Sequence, residues 1–272
     1  MIGTEACDGC YAPGYGTAGA RAGTSTINLL QGYVQYVTGN ATLMGGKFVT
    51  LAGAEGAAPP GNANITRSLI WWYSEPTTHV GVRGIFAVSD KTTFTIGINN
   101  GWNNDGSVPN GGKTAELGVS LTPNKSFSFA AATYYGAFDL GSGLVGNRAL
   151  IDVVGTWTVT SVLTVVLNAD WDRQDHASGP GTGSASWYGI AGYLNYAIND
   201  TWRTSLRCEH LDDKDGYIFA VSSKVNEATV TLGYMPAKQF ELRLEARYDA
   251  VKADGGGNSS AAQGWLQALY KL

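Results

Sequence analysis

The chain lacks any apolar run approaching the ~20 residues that a membrane-spanning helix needs. Its mean hydropathy of -0.08 is also too polar for a helical membrane protein. There is no excess of basic residues: the net charge is -4, so nothing in the balance suggests a nucleic-acid partner. Charged residues make up only 15% of the chain. Cysteine is scarce, with 3 in all. Cys7 and Cys10 form CDGC in a Gly-rich opening stretch, and Tyr11 follows where a haem-attachment motif would have His. A small loop disulfide between Cys7 and Cys10, or inert thiols, is the expectation on compartment grounds. Cys208 is expected as a small residue on an apolar face. Met1 is followed by IGTEACDG, with neither a basic region nor an apolar core. The expectation is that a leader was removed or that the chain begins partway through a longer precursor. No linker or composition break divides residues 1–272, so a single domain is expected.

What is abundant explains how a chain this polar on average can belong in a membrane. There are 37 Gly, 8 Trp, 14 Tyr and 8 Phe. Many segments alternate apolar and polar residues with period 2, which puts opposite chemistries on the two faces of a strand. In the stretch from Asn195 to Leu211, Trp202, Leu206 and Cys208 share one parity, while Arg203, Arg207 and Glu209 share the other. In FELRLEARYD, Phe240, Leu242, Leu244, Ala246 and Tyr248 oppose Glu241, Arg243, Glu245, Arg247 and Asp249. A barrel reconciles the polar average with a membrane, because only every second residue meets lipid.

Read in order, residues 1–24 form a Gly-rich loop and about 13 strands of roughly ten residues follow, the length of a tilted membrane strand. Short turns at Gly39-Asn40, Asp90-Lys91, Pro123-Asn124, Thr160-Ser161, Asn199-Asp200 and Pro236-Ala237 fall at every second connection, and the others are longer. Outward aromatics gather at the two ends: Trp157, Tyr196, Trp202, Tyr234 and Tyr270 near the short turns, and Tyr135, Trp171, Tyr188 and Tyr248 near the long loops. The fold class expected is therefore an all-β, antiparallel, up-and-down transmembrane β-barrel. The parity of the strands suggests part of a barrel of roughly 14 or 16 strands.

Residues 46–104 carry GKFVTLAGAE, NITRSLIWWYSEPTTHVGVR and SDKTTFTIGINNGWNN; KTAELGVSLTP and the terminal LQALYKL follow. In these the chain resembles the OmpL-like β-barrel porin family of Gram-negative outer membranes, most strongly across residues 28–135. The resemblance implies an outer-membrane channel. Leu272 stands where outer-membrane barrels usually end in an aromatic residue.

The inward charges are the candidate selectivity elements: Lys47, Arg83, Glu116, Asp152, Asp170, Arg203, Arg207, Glu209, Glu227, Glu241, Arg243, Glu245 and Arg247. Cross-strand pairing that merely solvates the wall is the plainer role for any one of them. The long segment 52–78 contains Leu69-Ile70-Trp71-Trp72-Tyr73, too apolar for free solvent, with Arg67 and Glu75 nearby. It could fold into the lumen as a constriction, extend a strand above the membrane, or contact a neighbouring subunit. Asp170, Asp172, Asp175 and His176 gather near one rim without a nucleophile motif, so catalysis is not expected. No catalytic residue, metal or cofactor is assigned. The function expected is passive diffusion of small hydrophilic solutes or ions through a water-filled channel. The alternative is a structural or adhesive barrel with a plugged lumen, whose loops bind a partner. Expected partners are outer-membrane lipid and lipopolysaccharide, and a homo-oligomer, trimeric by analogy.

Overall fold

The computed structural model describes residues 2–3, 28–103, 111–141, 144–177 and 182–270. Cys7 and Cys10 lie outside them. Two short strands, β1 (Ile2–Gly3) and β2 (Asn28–Leu29), pair with each other. The remaining strands form one antiparallel sheet of 13 in strict sequence order. They are β3 (Gly32–Thr38), β4 (Ala41–Val49), β5 (Thr78–Ser89), β6 (Thr92–Asn99), β7 (Thr114–Asn124), β8 (Phe127–Gly141) and β9 (Leu144–Thr158). They continue as β10 (Leu163–Gln174), β11 (Ala185–Ala197), β12 (Trp202–Asp213), β13 (Ser223–Ala237), β14 (Phe240–Ala253) and β15 (Ser259–Tyr270). β3 and β15 stand at the two ends of this order. Each strand pairs with its sequence neighbours, which is the up-and-down arrangement that the alternation implies. Among the described residues no helix is long and apolar enough to cross a membrane.

The alternation is laid down as two faces. Along β13 the burial pattern switches at every residue from Ser223 to Gly233. One face leaves Ile96, Leu117, Ile151, Leu167, Ile190, Leu206, Val230 and Leu244 exposed. A soluble protein would not tolerate an apolar surface repeated on strand after strand. The other face buries ionisable side chains beneath the segment that joins β4 to β5. Curvature toward this second face follows from one contact. His79 on β5 and Tyr134 on β8 are three strands apart, about 14 Å in a flat sheet. Yet their rings stack with centroids 4.8 Å apart. Only a sheet curled around them brings those side chains together.

Several boundaries shift from the sequence reading. Pro123 and Pro236 sit inside strand ends rather than in the turns. Each lies at a register shift, between Leu121 and Asn124 and between Tyr234 and Ala237. A bulge is where a strand tolerates a residue without an N–H. β8 runs on to Gly141 and β9 starts at Leu144, so this connection is short although the sequence reading expects a longer one. Residues 217–221, between β12 and β13, form turns and bends.

Candidate functional site

The site is built from the covered face and the segment 50–77 that covers it. The segment is irregular apart from a short 3-10 turn, Pro59–Gly61, and one short helix, α1 (Leu69–Tyr73). Its backbone therefore has many groups without partners of its own, and the wall supplies them. Glu245 accepts from the N–H groups of Ile65 (2.5 Å) and Thr66 (2.8 Å) and from the hydroxyls of Thr66 and Thr231 (both 2.6 Å). Glu209 accepts from the N–H groups of Leu69 (2.6 Å) and Ile70 (2.7 Å), the donors at the start of α1 that no turn of helix can satisfy. Ser68 caps the same end through Trp71 N–H.

Guanidinium groups take the segment's carbonyls. Arg203 donates to Ala63 O (2.9 Å), Arg207 to Thr66 O (2.7 Å), and Arg247 to Arg67 O (2.7 Å). Arg207, fully buried, also pairs with Glu55 from the segment (2.9 Å) and Glu227 from β13 (3.0 Å). Asn64 reaches Thr231, Trp187 reaches Ser74, Ala54 N–H donates to Asn168, and Leu51 N–H donates to Tyr134. Anchors thus come from β8 and from every strand from β10 to β14. The apolar side of α1 packs on the wall as well: Leu69, Ile70 and Tyr73 join Trp187, Tyr193, Leu211 and Val225 in one cluster. Arg67 is turned back onto its own segment, donating to the carbonyls of Gly56, Ala57 and Ile65. Trp71 is half-buried and Trp72 exposed. Glu75 is buried; its removal from water, with Asp152 and further carboxylates near it, holds its carboxyl well above the ordinary range.

Of the residues expected to point inward, Arg83, Glu116, Asp152, Asp170, Arg203, Arg207, Glu209, Glu227, Glu241, Arg243, Glu245 and Arg247 share the covered face. Arg83 forks onto Glu116, with both contacts 2.6 Å. Glu241 bridges Arg203 (2.6 Å) and Arg243 (2.9 Å). Lys47 is the correction. It pairs with Val80, on the parity of exposed Val82, while Phe48 beside it is buried against His79. The two glycines before Lys47 give no parity signal, and charge alone misassigns it. A lysine on the lipid side can run its stem along apolar surface and keep its ammonium in the polar zone.

Among the aromatics expected at the two ends, Tyr135, Trp157, Trp171, Tyr188, Tyr196, Trp202, Tyr248 and Tyr270 are exposed. Tyr234 is half-buried, its ring 4.6 Å from that of Trp202. Cys208 is exposed on the apolar face.

Sequence reasoning missed Arg148 and Glu55, and placed Asp172 near a rim rather than in the covered interior. Arg148 on β9 lies among the rings of Phe138, Trp102, Trp187 and Tyr217, 3.4 Å from the Phe138 centroid. Asp172 is wholly buried beside Asp170's strand position. Both carried inward parity in the sequence. Glu55, in an irregular segment, carried no signal.

Comparison with known proteins follows the same lines. The family described as "Putative beta-barrel porin-2, OmpL-like" matches residues 3–270. No curated protein sequence matches. Among solved structures, the outer membrane channel DcaP of Acinetobacter baumannii is 12% identical with a TM-score of 0.67, covering 93% of this chain and 77% of its own. OmpT of Vibrio cholerae is 14% identical with a TM-score of 0.68, over 90% and 81%. An anion-selective porin from Comamonas acidovorans is 11% identical with a TM-score of 0.63, over 90% and 78%. At such identities these likenesses establish the outer-membrane barrel fold.

Proposed function

We propose, from the premise that the chain belongs to the OmpL-like family of β-barrel porins, that segment 50–77 is the constriction of a passive outer-membrane channel. The protein is a porin of the Gram-negative outer membrane, and its exposed apolar face meets lipid and lipopolysaccharide. Small hydrophilic solutes or ions pass through the lumen, selected by size and by the charges on its wall. The observation that carries this reading is the seating of segment 50–77 across the inward face by Glu209, Glu245, Arg203, Arg207 and Arg247. A segment held by so many charged contacts narrows the lumen with a fixed rather than a fluctuating obstacle. The charges it leaves uncovered set a transverse field on the permeating ion. The exposed aromatics at both strand ends serve as the two interfacial girdles.

No catalytic step is assigned on this reading. His79 is stacked in an aromatic cluster and His210 is engaged with Asn226, so neither supports a nucleophile. Homo-oligomerisation, as a trimer, belongs to the same proposal; analytical ultracentrifugation in density-matched detergent tests it.

A second reading has an observation of its own: most inward charges are buried beneath the segment, which favours a plug over a constriction. Planar-bilayer recording separates the two. The constriction reading expects stepwise conductance from the purified protein, and a larger step when residues 54–75 are replaced by a short Gly/Ser linker. A wild-type protein silent at all voltages, with conductance only after that replacement, refutes the constriction and leaves the plug.

A further inference from the structure

Almost every carboxylate on the covered face has its charge answered. Glu116 has Arg83, Glu55 and Glu227 share Arg207, and Glu241 has Arg203 and Arg243. Glu209 and Glu245 each accept two backbone N–H groups, and Asp213 accepts three. One group is different. Asp152 on β9 lies directly across from Asp170 on β10. Glu75 arrives from the covering segment, and one carboxylate oxygen of each lies within 4.8 Å of the others. Among the described residues none of the three forms an ion pair. All are buried, with relative exposures of 4% for Glu75, 0% for Asp152 and 4% for Asp170. The side-chain amide of Asn168 donates to one oxygen of Asp152 (2.6 Å) and one of Asp170 (3.3 Å). Glu75 Oε2, Asp152 Oδ1 and Asp170 Oδ2 are left without a partner.

A separate observation points the same way. Asp172, two residues along β10 and on the same face, is wholly buried, with Ser74 and the Arg148 guanidinium near it. Its charge acts on Glu75 and Asp170, and Asp152 acts on it. Like charges gathered out of water repel unless something of opposite charge lies between them. The backbone has been brought close to make room for the arrangement. Gly53 has φ +90°, and a side chain there would run into the Glu75 carboxylate.

We infer that Glu75, Asp152 and Asp170 form a binding site for a hard divalent cation of the calcium class. The donors are oxygen only, which suits calcium or magnesium and not the softer transition metals. Ligands about 2.4 Å from a calcium ion stand up to ~4.8 Å apart, so three oxygens within 4.8 Å of one another can share one ion. The ion would tie segment 50–77, through Glu75, to two strands of the wall. This site does not depend on whether the segment constricts or plugs the lumen.

The test is calorimetric titration of the full chain, in a zwitterionic detergent and free of lipopolysaccharide, with calcium chloride and separately with magnesium chloride. The expected result is saturable uptake of one calcium ion per chain, with a rise in Tm that EDTA reverses. Asp170→Asn should abolish uptake and, without calcium, melt at or above the wild type, because it relieves repulsion. Asp200→Asn, in an exposed turn, should bind as the wild type does. If Asp170→Asn does not fold, Glu75→Gln, which leaves the wall untouched, carries the same expectation. No uptake by the wild type at millimolar calcium overturns the inference, as does uptake that survives both substitutions.

Discussion

Glu245→Gln is the sharpest probe of how segment 50–77 is held. The carboxylate accepts four hydrogen bonds, two on each oxygen, and each oxygen takes one backbone N–H and one threonine hydroxyl. Glutamine has the same shape but only one acceptor oxygen. Whichever way its amide turns, an NH₂ faces either the N–H of Ile65 or that of Thr66. The threonine hydroxyl on that side can rotate to accept, but the backbone N–H cannot. Hydrogen bonds to charged groups are worth about 1.5–3 kcal/mol, and a stranded buried donor costs about 1–3 kcal/mol. Allowing for water that can reach a lumen segment, the attachment weakens by about 2 kcal/mol. Each 1.4 kcal/mol is tenfold in an equilibrium constant, so the detached population should rise about thirtyfold. Hydrogen exchange read by mass spectrometry on peptides spanning residues 60–75 measures that population, since local opening exposes these amides. Amides of β10 to β14 serve as the internal reference and should not change. Exchange within twofold of wild type across residues 60–75 would refute the anchoring role.

Arg207→Met strands Glu55 and Glu227, and breaking a buried ion pair costs about 3–5 kcal/mol; Glu55→Gln in the same chain should recover part of the loss, read as urea resistance of the segment by hydrogen exchange. Gly189→Ala would place a methyl 2.2 Å from Ile70 Cγ2 and should push α1 off the wall, raising channel current, whereas Gly192→Ala, with its nearest atom at 3.4 Å, should leave the current unchanged. Ile96→Arg puts a charge on the lipid face and should cost about 2–4 kcal/mol near the bilayer midplane, measured by denaturant titration of refolding into vesicles. Lys47→Leu, on that same face, should leave the reversal potential unaltered in asymmetric salt.

The strands were legible because their period-2 pattern is a local property: a residue's face is set by its immediate neighbours. FELRLEARYD declares both faces of β14 unaided. The pattern fails where side chains are missing or backbone geometry breaks the count. Gly45 and Gly46 hide the parity of β4, so the sequence reading places Lys47 inward on its charge alone. Bulges at Pro123 and Pro236 move the turns by about two residues. The destination of segment 50–77 was beyond the reach of such reasoning. LIWWY announced that it needed cover, but the cover comes from Trp187, Leu211 and Val225, far along the chain. The inward parity of Glu209 and Glu245 was plain. That each holds a pair of backbone N–H groups was not, because those donors belong to every residue and leave no mark in a sequence.

The origin of these anchors has a kinetic consequence. Glu55 reaches forward 152 residues to Arg207, and Ile65 reaches 180 residues to Glu245. Contacts that span most of a chain form late, after the entropy of closing the intervening loop has been met. The segment is made early and docks last. Until β11, β12 and β13 have curled into place, Leu69 to Tyr73 remain an unsheltered apolar stretch, the part of the chain most exposed to misassociation before the wall is complete.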